Sequence, residues 1–212
     1  MGARHRRHAL GRPGAGAGRR VHHERHPHAV GSRGTAPGIA LLSDLSQNTV
    51  ERIAGIVRSC ARPHGVVVVS LHWGENWGYQ IAQDRRWFAH HLIDRAGVHV
   101  VHGHSSHHPL GIEVHRGRLI VYGCGDLLTD YEGIPDHDHY RGDLGALYLP
   151  TINPDSGALQ HLELVPTKVE RFQLARPPPD DVHWLATTLH REGGSLGTTV
   201  ATSGDGRLMI GW

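Results

Sequence analysis

Three histidines, His72, His104 and His107, stand at the ends of two apolar runs, VVVVSLHWGENW from Val66 and VHVVHGHSSHH from Val98. Imidazole nitrogen suits zinc, manganese or iron, and turns at strand ends leave ligands free to converge. If both runs are parallel strands joined by one helix, their C-terminal ends meet and the three histidines share one end of a sheet. Such a set is half of a metal site. The chain holds 21 histidines, so most are incidental; the coincidence of three at one place distinguishes these. Glu75, in the loop after His72, has three readings: a ligand, a solvated side chain, or, preferred here, an acceptor that orients a ligating imidazole. Asp126 follows Gly125 at a strand end, where it either orients a histidine or substrate or caps the segment from Leu127 to Tyr131. Trp73 and Trp77 flank the site, as walls of a cleft or as packing at the core edge.

The elements that must position these residues follow from periodicity. Val50, Ile53, Ala54, Val57 and Ala61 recur at helical spacing, so a helix is predicted from about 47 to 60, with Asn48 and Glu51 as its capping box. Pro63-His64-Gly65 breaks it. The β-branched run VVVVSL then reads as a central strand buried on both faces. Ile81, Phe88, Ala89, Leu92 and Ala96 mark a second helix stopping at Gly97, which completes a βαβ unit. Beyond His108 the pattern is antiparallel. One hairpin spans 111–122 around Arg116-Gly117, and another joins 144–150 to 159–167. A helix over 180–192 and two short strands at 198–202 and 207–210 finish the chain. Asp136-His137-Asp138-His139 alternates ligand types but reads as a solvated loop with nothing to hold it rigid. Cys60 and Cys124 read as small core residues, not a disulfide framework.

Charge is unevenly distributed. Residues 1–35 carry eight arginines against Glu24 alone, whereas the rest has 14 basic and 19 acidic groups. The first segment has almost no large apolar residue and reads as a disordered Arg/His/Gly-rich tail. With 21 arginines against the single Lys168, the codons are expected to be G+C-rich, and a mis-called start or a frameshift explains the tail better than nucleic-acid binding. No signal peptide or membrane span is visible, which leaves localisation cytoplasmic or open.

Three motifs in order, the HWG strand end at His72, Gly103-His104-Ser105-Ser106-His107, and Tyr122-Gly-Cys-Gly-Asp126, resemble the CapA family of capsule-synthesis, poly-γ-glutamate-associated proteins. The resemblance covers roughly Pro37 to Trp212 and implies an α/β fold, a partial four-layer metallophosphoesterase-like sandwich with a βαβ unit and antiparallel hairpins. It implies metal ligation by His72 and His104, with His107 as ligand or acid and Asp126 beside it in catalysis. A divalent metal, manganese, zinc or iron, would serve hydrolysis of a phosphoester or related ester in synthesis of a polyanion. Two segments usual in the family, a strand ending in Gly-Asp and an Asn-Asn-His stretch, have no counterpart here. The N-terminal half of the domain is therefore expected to be missing, metal binding weak or absent, and a two-metal mechanism compromised for want of a bridging carboxylate. The competing expectation is a non-catalytic accessory protein that binds a polyanionic substrate in the same cleft.

Overall fold

The computed structural model describes residues 39–129 and 136–212. The predicted tail over 1–35 and part of the predicted cap from Leu127 to Tyr131 lie outside the described residues. Residues 42–212 form one compact unit.

Helix α1 spans Gln47–Cys60, as its periodicity requires, but its cap is Ser46, not Asn48. The Ser46 side chain accepts from the Thr49 amide, and Asp44 accepts from both the Ser46 amide and the Thr49 hydroxyl. The correction is physical: the residue two places earlier has the extended backbone a cap needs. Strand β1 (Val68–His72), helix α2 (Gln83–Ala96) and strand β2 (Val100–His104) follow. Gly97 ends α2 in the left-handed region with φ 70°, the role expected of it. Strands β1 and β2 pair in parallel, closing the βαβ unit.

Strands β3 (Ile112–His115) and β4 (Arg118–Val121) form the first predicted hairpin. Arg116 and Gly117 both take positive φ, 50° and 73°, as a tight turn between twisted strands demands. The resulting mixed sheet has the order β1-β2-β4-β3. Among the described residues β1 is thus at the edge of the sheet, and Val68, Ser70 and His72 are exposed. The expectation of a central strand buried on both faces fails here. A run of valines marks extended backbone, but only strand order decides how many faces are covered.

Strands β5 (Leu144–Ile152), β6 (Leu159–Glu170) and β7 (Gln173–Ala175), helix α3 (Pro179–Gly194), and strands β8 (Thr199–Thr202) and β9 (Leu208–Gly211) complete the chain. The second sheet is antiparallel, ordered β5-β6-β9-β8, with β7 on β6. Alternation along β2 and β4 sends side chains into two cores. Val101, Ile120 and Tyr122 meet Val50, Ala54, Phe88 and Leu92 of α1 and α2. Val100, Leu119 and Val121 face Leu162, Leu164 and Leu208 of the second sheet with Leu185 and Leu189 of α3. The fold is an α/β sandwich. No helix among the described residues is long and apolar enough to cross a membrane.

Candidate functional site

The parallel register places His72 directly opposite His104 at the C-terminal ends of β1 and β2. Both side chains project from the face opposite α1 and α2, and their Nδ1 atoms lie 3.3 Å apart. That is long for a hydrogen bond between ring nitrogens. It matches the separation of about 3.3–3.4 Å that two nitrogens about 2.0–2.1 Å from one tetrahedral metal must have. Burial lowers the His104 pKa, and the neighbouring His72 and His102 lower it further, so its imidazole is held in the neutral, ligating form. Two imidazoles therefore fit a divalent transition metal as half of its ligand set. Among the described residues, no third histidine, cysteine or carboxylate joins them in a cluster within 4.8 Å. Water or substrate would complete the coordination.

Gly103 is why the strand end can close. A Cβ there would overlap the Trp73 indole nitrogen and the Tyr122 carbonyl oxygen. Trp73 donates from Nε1 to that carbonyl at 2.9 Å and stacks against Tyr122, so it is core. The loops after β1 and β2 are laced together by backbone bonds from Trp73 to His104 and from His107 to Asn76, both 3.0 Å. Between them Ser105 adopts φ 131°, a region non-glycine residues rarely enter and one that costs roughly 1–3 kcal/mol. The laced loops hold it there.

His107 is placed differently from the pair. Its Nδ1 donates to Asp126 Oδ2 at 2.9 Å, and both side chains are mostly buried. Asp126, whose carboxylate comes from the loop after β4, thus meets a histidine of the loop after β2. Trp77 packs on His107 and stacks on His137, with ring centroids 5.2 and 4.4 Å away. Trp73 is therefore core, and Trp77, half-buried, packs among His107, His108, His137 and Tyr140 at the core edge. Tyr140 stacks on the buried His108, whose pKa burial pushes down to about 4. Hence the Asp136–His139 stretch is not a loop with nothing to hold it. It carries a short 3-10 turn at Asp138–Tyr140, seated on aromatic rings. Glu75 is exposed and forms no hydrogen bond or ion pair with either histidine or with any other described residue. Cys60 is exposed at the end of α1, not in a core, while Cys124 is half-buried.

Sequence reasoning passed over Ser70 and His102. Ser70 Oγ and His102 Nδ1 lie 3.0 Å apart, directly behind the His72–His104 pair. The signal was the period-two repeat Ser70-x-His72 and His102-x-His104, which puts four polar side chains on one sheet face. A separate cleft of about 590 Å³ lies between β6, the start of α3 and the β8–β9 turn, and none of the predicted site residues line it.

Comparison with known proteins places this geometry in a family. The sequence is 43% identical over 185 residues to a "probable polyglutamine synthesis accessory protein" of Mycobacterium tuberculosis strain CDC 1551 / Oshkosh. It matches the protein of the same description from strain H37Rv to the same degree. The match covers 87% of this chain and 48% of each relative, so the chain spans about half the length of the curated relatives it matches. The family signature covers residues 7–131, reaching further towards the N-terminus than the three motifs do and including the βαβ unit and the His72–His104 strand ends. The chain belongs to the bacterial capsule synthesis protein family PGA_cap.

Proposed function

We propose that this chain contributes to capsule or poly-γ-glutamate synthesis through a metal-dependent site that hydrolyses a phosphoester or related ester of a polyanion. The observation that carries the reading is the His72–His104 pair, in register on parallel strands with Nδ1 atoms 3.3 Å apart. A bound divalent metal would supply Lewis acidity and a water of lowered pKa. The rest is the work of side chains. His72 and His104 present two imidazole donors from a sheet edge. His107, held through Nδ1 by Asp126, would act as the acid that gives a proton to a leaving oxygen. Trp77 packs on that ring and steadies it. Three imidazoles and one tethered carboxylate bring little negative charge, so metal affinity is expected to be modest.

A second reading, a non-catalytic accessory protein that binds polyanion at the same strand ends, is favoured by the descriptions of the relatives. Turnover separates them. The full chain, loaded with manganese or zinc, should hydrolyse p-nitrophenyl phosphate or a bis-ester analogue, and His72→Ala with His104→Ala should abolish that activity and remove one equivalent of metal. Metal binding without turnover would support the accessory reading; a double variant that keeps both metal and turnover would overturn the site.

A further inference from the structure

A second set of metal-competent side chains lies on the other face of the same sheet. On α2, His90 and Asp94 are one helical turn apart. On β3, Glu113 and His115 are two residues apart and so share a strand face. That face looks toward α2, while Ile112 and Val114 look toward the second core. His115 pairs with Arg118 at the start of β4, whereas His72 and His104 sit at the ends of the strands parallel to it. The two sets therefore occupy opposite faces and opposite ends.

We propose that His90, Glu113 and His115, with Asp94 beside them, form a second divalent transition-metal site that clamps α2 to β3. The ligand atoms of His90, Glu113 and His115 all lie within 4.8 Å of one another, the one such cluster among the described residues. His90 Nε2 is 2.9 Å from Glu113 Oε1, and His115 Nε2 is 3.1 Å from Asp94 Oδ1. The two imidazole rings stack 3.8 Å apart and within 6° of parallel, so one ring must turn for both in-plane lone pairs to meet a single ion. Two imidazoles and the Glu113 carboxylate are a donor set of the zinc type, while Asp94, paired with His115 and Arg116, lies beside them. The side chains are 24% exposed for His90, 19% for His115 and 24% for Asp94, against 6% for Glu113. The site is enclosed but reachable.

Arg86 is the competitor for this carboxylate. It donates to Glu113 from Nε and Nη2, and Tyr122 donates to Oε2 at 2.6 Å. These bonds fix the carboxylate's plane; Oε1 accepts from Arg86 Nη2 at 2.8 Å with one lone pair and shares the other with His90. A metal would take that lone pair together with His90 Nε2, the imidazole proton moving to Nδ1. Atoms and charge balance without release of a proton. Arg86 and Tyr122 then act as the groups that orient a ligating carboxylate.

The test uses the full chain carrying His72→Ala and His104→Ala, so that the strand-end pair is silent. Titration with zinc by calorimetry, and with cobalt(II) by visible absorption, should show one equivalent bound. Adding His115→Ala should lower the affinity at least tenfold and remove the cobalt bands. His90→Gln, whose amide can still donate to Glu113 and preserve the fold, should do the same. The clamp is overturned if the parent variant binds no metal, or if His115→Ala and His90→Gln bind it as the parent does. Wild-type binding that survives loss of His72 and His104 but not of His90 and His115 would keep this site and sink the strand-end reading.

Discussion

His107 and the His72–His104 pair have different partners, and this separates the chemistry that each can perform. A ring tied to a carboxylate through Nδ1 at 2.9 Å is held in one tautomer and one orientation, as a proton donor requires. The pair has no such tether and is poised instead by strand register. Replacing His107 by Ala should therefore lower phosphoester turnover by roughly 100-fold or more while leaving the strand-end metal equivalent in place. Loss of that equivalent on His107→Ala would make His107 a ligand. The residue types were legible in the sequence, because His, Asp and Trp at strand ends announce their chemistry. Partners were not: nothing in the spacing of His107 and Asp126, or of His90 and Glu113, says which carboxylate each histidine meets. Glu75 shows the converse, a ligand-type residue three positions after His72 that the loop leaves in solvent.

Periodicity located the helices and hairpins to within about three residues, the largest difference being β6, which runs to Glu170 and not 167, since α1, α2 and both hairpins follow from local patterns of burial. What it could not supply was strand order, which depends on contacts distant in sequence, and so the VVVV run was given two covered faces when β1 has only one. Long-range charge pairing was hidden for the same reason. Asp181, in the first turn of α3, accepts from Lys168 Nζ of β6 at 2.7 Å and from Arg141 Nη2 at 2.9 Å. Arg141 also forms a bidentate pair with Asp143 just before β5, with both bonds 2.8 Å. This network ties α3 to the antiparallel sheet at the helix end where a carboxylate is favoured. Burial alone would raise the Asp181 pKa, but the bonds from Lys168 and Arg141 outweigh it and hold the group below its ordinary 3.8. A depressed carboxylate binds fewer protons folded than unfolded, so its contribution is complete above about pH 4 and fades as pH falls through the folded value. Asp181→Asn should cost about 1–3 kcal/mol near neutrality and should flatten the loss of stability below pH 4. Chemical denaturation across pH 2–7 measures both, and an unchanged acid limb would remove Asp181 from the account.

At the scale of the whole molecule, one mixed sheet divides two cores and carries ligand-type side chains on both faces. Helices α1 and α2 cover the face that bears Glu113, and the second sheet with α3 covers most of the other. At the end of β1 and β2 that second face is left open, and there the histidine pair stands. The chain spans about half the length of the curated relatives it matches, and the proposed site rests on the two imidazoles at these strand ends. The most direct test is a residue-resolved titration of the imidazoles of the full chain with zinc, followed by long-range nitrogen–proton NMR. The His72 and His104 ring signals should shift together and saturate together, with His137 and His139 of the aromatic-seated turn unmoved. Shifts of His137 and His139 while His72 and His104 stay fixed would contradict the account.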